Sequence, residues 1–446
     1  MTLLNGGLER GLMGGSMALA LFAALCSAGV AQDVKQGPPA DRDVQAPIVP
    51  RPAAISPALF AAVERATEDY PSIRAGRSLV KASTADVRAA KNLRLPSVGI
   101  QGVTVGTGGG LGSQLVIDQP VYTFGRLGAT IDRAKAGRMV RAAEVDELVR
   151  NVALDTVTAY FEIARLAKRQ AILTEGLDEH KLLLASIGRR VEQEVSAQSD
   201  LELAKSRTAQ LEQDLALTVA QRQSATARLF QLVGDSSYDA GNVPAYDPAI
   251  HHPDPTNAAE EAIACSPRRD RLTAQTLVAR AETKQARRSF WPQLSAQYSY
   301  NNIIGSRAGL AVTAQTSGGL SNLAAADAAR ARETSTELDV QTAERELRER
   351  IATDLVENAA ARGRIVNGIS ASGSAVNVTE SFKRQFIAGR RTWLDVMNAT
   401  REATSAELGS SDAEFSAMSS AARILLQTCR WQPQPRLALT ITDRPK

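Results

Sequence analysis

Two periodicities alternate along the chain. Leu294, Ala296, Tyr298 and Tyr300 interleave with Ser295, Gln297, Ser299 and Asn301. Period two with one apolar and one polar face predicts a strand lying between lipid and water, or between core and water. Leu310, Val312 and Ala314 repeat the alternation on a returning strand, with Thr313 and Gln315 opposite. An earlier strand pair, rich in Val, Ile and Gly, is expected near 97–105 and 113–120, turned by the Gly-rich stretch 106–112. The later pair is expected near 293–302 and 309–315. A helix is expected from Ser56 to Leu93, interrupted at Tyr70-Pro71 because proline disfavours helix in the residue before it.

After each strand pair the spacing becomes helical over a long tract, and no proline occurs between Pro120 and Pro244 or between Pro292 and Pro433. One helix is expected from about Gly128 to Arg190. A second, from Leu201 to Leu232, has a seam at Leu201, Ala204, Thr208, Leu211, Leu215, Thr218, Arg222, Ala225, Leu229 and Leu232. Those steps alternate three and four, as in a heptad. A polar turn at Glu194–Ser199 joins the two into a hairpin, and the turn at Ala388-Gly389-Arg390-Arg391-Thr392 does so again later.

The two halves keep a common register. Tyr70-Pro71 and Leu95-Pro96-Ser97 are echoed by Ser266-Pro267 and Trp291-Pro292-Gln293, a shift of 196 residues for both proline pairs. Asp200 is echoed by Asp395, a shift of 195. A register held over that distance indicates duplication. The chain divides into a leader at 1–31, a Pro-rich lead at 32–54, a first repeat at 55–233 with its helical hairpin at 126–233, a linker at 234–257, a second repeat at 258–430 with its hairpin at 320–430, and a tail at 431–446.

Composition narrows the class. Of 446 residues, 44% are hydrophobic but only 4% aromatic, which suits close-packed helices of Ala, Leu and Val better than a compact globule. The net charge of +4 is interspersed and forms no basic cluster, so a nucleic-acid partner is excluded. Arg10, the apolar run Met17–Leu25 and the small residues Gly29-Val30-Ala31 before Gln32 read as an export signal, too short for a membrane span. Leu25 before Cys26 fits lipoprotein processing poorly. Beyond it, Cys265 and Cys429 make no disulfide framework, and whether they pair in an oxidising compartment stays open.

Four short amphipathic strands cannot sit alone in a bilayer. An open sheet leaves unpaired N–H and C=O groups at its edges, and four strands are too few to close a barrel. Lipid-facing strands therefore require several chains, and three would supply twelve strands. The alternative is a small sheet packed on the helices.

Gln119-Pro120-Val121-Tyr122-Thr123-Phe124-Gly125-Arg126 resembles the Pro-Leu-Tyr/Phe-x-x-Gly-Arg start of the long helix in the TolC outer-membrane channel family. The segment from Phe386 to Ala399, with Gly389, Trp393-Leu394-Asp395-Val396 and Asn398, resembles that family's hairpin turn. The resemblance spans about residues 55–430. It implies an α+β membrane protein: a homotrimer in outer-membrane lipid, with a twelve-stranded β-barrel continuous with a long periplasmic α-helical barrel. It also implies a periplasmic adaptor and an inner-membrane transporter as partners. The Arg-Arg-Thr-Trp-Leu-Asp-Val form of the turn is closest to the type I secretion members, which work with an ABC transporter; a proton-driven pump would be the partner in multidrug efflux.

The family closes its tunnel near this turn with Tyr, Arg and Asp. The matching positions are Ser199 and Asp200 in the first repeat, and Phe386, Arg391, Asp395 and Asn398 in the second. Phe386 replaces a tyrosine and Asn398 an aspartate, removing a phenolic donor and a charge. The turn residues Glu194, Gly389 and Arg390 would meet the adaptor, although Glu194 stands where a glycine is usual. In the second repeat the Pro-Leu-Tyr start is lost, reading Ala314 to Ser321 instead.

Competing assignments are structural. Ser199-x-x-Glu202 reads as a capping box and Thr392-x-x-Asp395 nearly so. Phe290 and Trp291, where the chain turns into the strands, suit either a membrane-interface belt or ordinary packing. His251 and His252 near Asp254 are the one candidate metal grouping, within a Pro-rich linker. The Gly-rich 106–112 stretch lacks the Lys-Ser/Thr of a phosphate loop, and no hydrolase or metalloprotease motif occurs, so neither an enzyme nor a cofactor is expected. A periplasmic coiled-coil scaffold without a pore is the remaining alternative.

Overall fold

The computed structural model describes residues 51–104, 111–239, 241, 243–301, 305–314 and 321–440. The expected leader, nearly all of the Pro-rich lead, most of the 106–112 turn, the 315–320 junction and the end of the tail lie outside the described residues.

Prolines mark where helices begin. Helix α1 (Pro57–Asp69) is capped by Ser56, whose hydroxyl accepts from the Leu59 N–H at 3.1 Å. Tyr70 is extended at ψ 128°, as a residue before proline prefers, and α2 (Pro71–Asn92) starts afresh. Strands β1 (Ser97–Thr104) and β2 (Leu111–Tyr122) lead into α3 (Arg126–Glu192), and α4 (Gln198–Val233) returns. The second repeat opens with α5 (Ala258–Ala264) and α6 (Pro267–Arg288). Strands β3 (Gln293–Asn301) and β4 (Gly305–Thr313) follow, then α7 (Ser321–Ile387) and α8 (Trp393–Gln427). A short α9 (Leu437–Thr440) ends the described chain. Helices α3 and α7 both have 67 residues, about 100 Å at the helical rise, and are shifted by 195 residues at both ends.

The four strands form one antiparallel sheet in the order β1-β2-β3-β4. Register sorts the faces. Val98 pairs with Ile117, Ile100 with Leu115, Leu115 with Tyr300, Ile117 with Tyr298, Ala296 with Leu310, and Leu294 with Val312. One face is therefore apolar. The other carries Ser97, Gln101, Gln114, Asp118, Ser295, Gln297 and Ser299. Much of the apolar face is exposed, Tyr298 excepted. Ile100, Leu310, Val312 and Val98 on the apolar face are 79%, 72%, 69% and 66% exposed, while Ser295 and Asn301 on the polar face are buried. Among the described residues no helix packs along the sheet, against the alternative of a small sheet packed on the helices.

The helices form a wall one helix thick. In the half next to the strands the order is α2-α3-α6-α7, and in the other half it is α4-α3-α8-α7. Both edges are open, with α2 and α4 at one side and α7 at the other. Helix α7 exposes Leu338, Val356, Val366, Ile369, Val376 and Val378 along its length. Among the described residues no helix is long and apolar enough to cross a membrane.

Close contact substitutes for bulk inside the wall. Ala361 and Ile365 pack on Ala413 and Ala417 between α7 and α8. A Cβ on Gly368 would meet the Ser410 backbone at 3.1 Å, so only glycine fits there without parting the two helices. Asn358 fixes their register: its amide donates to the Ala417 carbonyl and the Ser420 hydroxyl, both at 2.9 Å. The largest core cluster joins Leu59 and Val63 of α1, Val157 and Tyr160 of α3, Met418 and Leu426 of α8, and Trp431. The α4 seam meets α3 through buried Ala204, Thr208, Thr218, Leu229 and Leu232. Arg222 is the exception; it is exposed and donates to Gln170.

The two cysteines are joined. Cys265 and Cys429 form a disulfide with Cα atoms 6.1 Å apart, tying the start of α6 to the end of α8. Arg150 of α3 lies against it, donating to the Cys265 carbonyl at 3.0 Å, and burial lowers its pKa to about 10. Asp146, one turn earlier, accepts from the Leu437 and Ala438 N–H groups at the start of α9.

Both hairpins turn in the same way. The Glu194 N–H donates to Val191 O and the Val195 N–H to Arg190 O; the Gly389 N–H donates to Phe386 O and the Arg390 N–H to Gln385 O. This paired pattern is a Schellman motif, whose left-handed position favours glycine. Glu194 takes φ +60° where Gly389 takes φ +70°. The first repeat thus keeps the geometry without the usual glycine. Non-glycine residues pay about 1–2 kcal/mol there. Glu194→Gly should therefore stabilise the detergent-solubilised protein by about 0.5–1 kcal/mol, and Gly389→Ala should destabilise it by a similar amount. Thermal unfolding of the two variants beside the parent checks both signs.

Candidate functional site

The second hairpin brings two of its candidates, Arg391 and Asp395, together. Thr392, extended at the N-cap of α8, accepts from the Asp395 N–H at 3.2 Å. The Asp395 carboxylate accepts in return from the Thr392 N–H at 3.2 Å and its hydroxyl at 2.9 Å. This is a complete capping box. The Thr392 hydroxyl first, and then its N–H, hold the carboxyl below the usual carboxylate range. Arg391 lies 3.8 Å from Asp395, and its guanidinium sits 4.3 Å above the Phe382 ring.

Phe386 takes a different place. It packs against Ile187, Ala204, Trp393 and Met397, so it joins the two hairpins rather than facing the Arg391–Asp395 pair. Arg190 of the first hairpin lies over its ring at 5.2 Å. An aromatic ring without a hydroxyl suits this apolar contact.

The first-repeat candidates depart from expectation. Helix α4 begins at Gln198 with Ala197 as N-cap and no side-chain cap, so the Ser199–Glu202 box does not form. Glu202 is drawn instead to Lys205 at 2.9 Å and Gln198 at 3.2 Å. Asp200 lies in the first turn of α4, beside exposed Ser199. Asn398 is exposed on α8. No hydrogen bond or ion pair joins these three to Arg391 or Asp395 among the described residues. Arg190 and Phe382 were missed by sequence reasoning. Phe382 precedes Phe386 by one helical turn, and that spacing is the signal that could have flagged it.

A second grouping lies where strands meet helices. Phe124 and Gly125 are both left-handed, at φ +50° and +82°, and this break swings the chain from β2 into α3. It carries Phe124 onto Trp291, stacked at 5.2 Å, with Tyr122 edge-on at 4.6 Å. All three rings come from the junctions of the two repeats. Phe290 is part-exposed and outside this stack.

The two linker histidines diverge. His251 is buried, stacked on Tyr246 and hydrogen-bonded through Nδ1 to the Asp247 backbone, and burial lowers its pKa. His252 is exposed. Among the described residues no cluster of three or more His, Cys, Asp or Glu could hold a metal.

Residues 62–235 match the family described as Outer membrane efflux protein. No curated protein sequence matches the chain. Solved structures match it over most of their length. A membrane protein from Pseudomonas aeruginosa superposes with a TM-score of 0.74 at 17% identity, covering 84% of this chain and 90% of that one. The outer membrane protein VceC from Vibrio cholerae gives 0.71 at 18% identity, covering 83% and 95%. The CmeC outer membrane channel of Campylobacter jejuni gives 0.73 at 13% identity, covering 87% and 89%. The chain thus matches the Outer membrane efflux protein model over residues 62–235, and shares the fold of these solved structures over most of its length.

Proposed function

We propose that the protein is a passive outer-membrane exit duct built from three copies. The observation that carries this reading is the apolar sheet face that no helix covers, on a sheet with two open edges. In hydrocarbon such edges must be paired, and three chains of four strands give twelve, an even number within the known range. Strand β4 of one copy would pair with β1 of the next. The helical wall has the same topology of open edges, so α7 of one copy would meet α2 and α4 of the next through its exposed Leu and Val residues. The result is a strand barrel in the outer membrane above a long periplasmic tunnel. The uncovered apolar face counts against a pore-free periplasmic scaffold.

The hairpin ends suit a protein partner. Ile387 and Val195, beside the turns at Gly389–Arg390 and Glu194, are 85% and 60% exposed. A periplasmic adaptor would dock there, linking the duct to an inner-membrane ABC transporter that supplies the energy and passes protein substrate. The sequence of the second turn, Arg390 to Val396, supports this type I secretion reading. A second reading, the duct of a drug-efflux pump driven by protons, is favoured by the family matched at residues 62–235. Deleting the gene distinguishes them. The first reading predicts loss of one large secreted protein with drug sensitivity unchanged; continued secretion with raised drug sensitivity would favour the second.

Asp395 and Arg391 would close the tunnel end in this reading, supported by their ion pair at the start of α8. Threefold symmetry would set three Asp395 carboxylates in a ring, which binds cations. Because its folded pKa is depressed, the capping contribution of Asp395 is full above the unfolded value of 3.8 and fades as pH falls through the lower, folded value. Asp395→Asn keeps an oxygen for the cap and removes the charge. It should weaken block of single-channel current by trivalent cations several-fold; unchanged block would remove Asp395 from this role.

A further inference from the structure

The strand–helix junction encloses a cleft of about 830 Å3. Its lining includes Pro120 and Gln293 at the strand ends, and Arg126, Arg133, Glu282 and Arg332 on α3, α6 and α7. Pro120 pairs with Ser295, and Gln293 lies two residues before Ser295 on the same strand. Both therefore belong to the polar face of the sheet, opposite Val98, Ile100, Leu310 and Val312. In the three-copy duct on which this inference rests, that is the water-filled side.

The charge there is unbalanced. Arg133 donates to Glu282 at 2.8 Å and is neutralised by it. Arg126 and Arg332 take part in no ion pair among the described residues. Helix α3 starts at this level with no acidic residue in its first turn, so the positive end of its dipole adds to the same field. The strands above contribute one charge of each sign, Asp118 and Arg307, both on the polar face. Residues 105–110, 302–304 and 315–320 contain no ionisable side chain, so they neither add to this excess nor cancel it. Among the residues that line the cleft, each chain thus carries an excess of two guanidinium groups. A low-dielectric cleft of one sign concentrates counter-ions, and rings of charged side chains set the selectivity of a pore.

We propose that this cleft is an anion-binding vestibule, in which Arg126 and Arg332 take up a carboxylate or phosphate group of a passing substrate, so that the duct prefers acidic cargo. Single-channel recording in planar bilayers under a potassium chloride gradient tests it. Millimolar inorganic phosphate should reduce the chloride current of the parent channel. In Arg126→Gln/Arg332→Gln the reversal potential should move toward the cation side and the phosphate effect should be lost while conductance persists. Arg126→Lys/Arg332→Lys should keep the parent's potential and its phosphate block, and Arg133→Gln, at the residue already paired with Glu282, should move the potential less than the Gln pair. A potential unmoved by the Gln pair, or a chloride current indifferent to phosphate, would overturn the vestibule and leave the duct standing. If the Gln pair fails to insert, a Lys pair without phosphate block would overturn it equally. A parent protein that conducts nothing would instead overturn the duct itself.

Discussion

A backbone N–H or C=O left unpaired in hydrocarbon costs several kcal/mol, and an open sheet presents two rows of them. Here those rows lie on β1 and β4, at the margins of a sheet whose apolar face is bare. Among the described residues no strand pairs with either edge. The rest of the architecture is consistent with that constraint. The helical wall is also open at both sides and does not curl into a closed bundle, so a single chain has the form of one sector of the proposed three-copy duct. Duplication explains how one sector contains two similar units, since α3 and α7 have the same length and the same position relative to their strand pairs.

A wall one helix thick buries little surface per residue, so its contacts must be close. Small residues supply this, as at Gly368 against Ser410. Specificity comes from a few buried polar groups. Asn358 pins α7 to α8, and Asp146 and Arg150 pin the chain's C-terminal end to α3 beside the disulfide. These anchors lie near the broadest packing in the molecule, where α1, α3, α8 and Trp431 converge. The low aromatic content of the sequence follows from this design.

Much of the fold was legible because its signals are local. Prolines 57, 71 and 267 set helix starts directly, and strict alternation fixed the faces of β3 before any partner strand was known. The α4 seam was readable from heptad spacing except at Arg222, whose long side chain reaches α3 from the rim. What failed depended on tertiary placement. The Ser199–Glu202 box was a sound motif, but the chain enters α4 two residues earlier, with Ala197 rather than Ser199 as N-cap, and Lys205 captures the carboxylate. Cys265 and Cys429 are 164 residues apart in sequence, and only the return of α8 beside α6 brings them together. At the candidate gate, the family resemblance pointed to Arg391, Asp395 and Phe386 together, and the structure sets Phe386 apart from the other two, because the packing of one hairpin on the other is not written in either hairpin alone.

The central claim is that the sheet's bare face meets lipid and its edges meet other copies of the chain. The mass of the detergent-solubilised particle tests this most directly. The account predicts a single species of three chains that precipitates when detergent is withdrawn. A monodisperse monomer that stays soluble without detergent would contradict it.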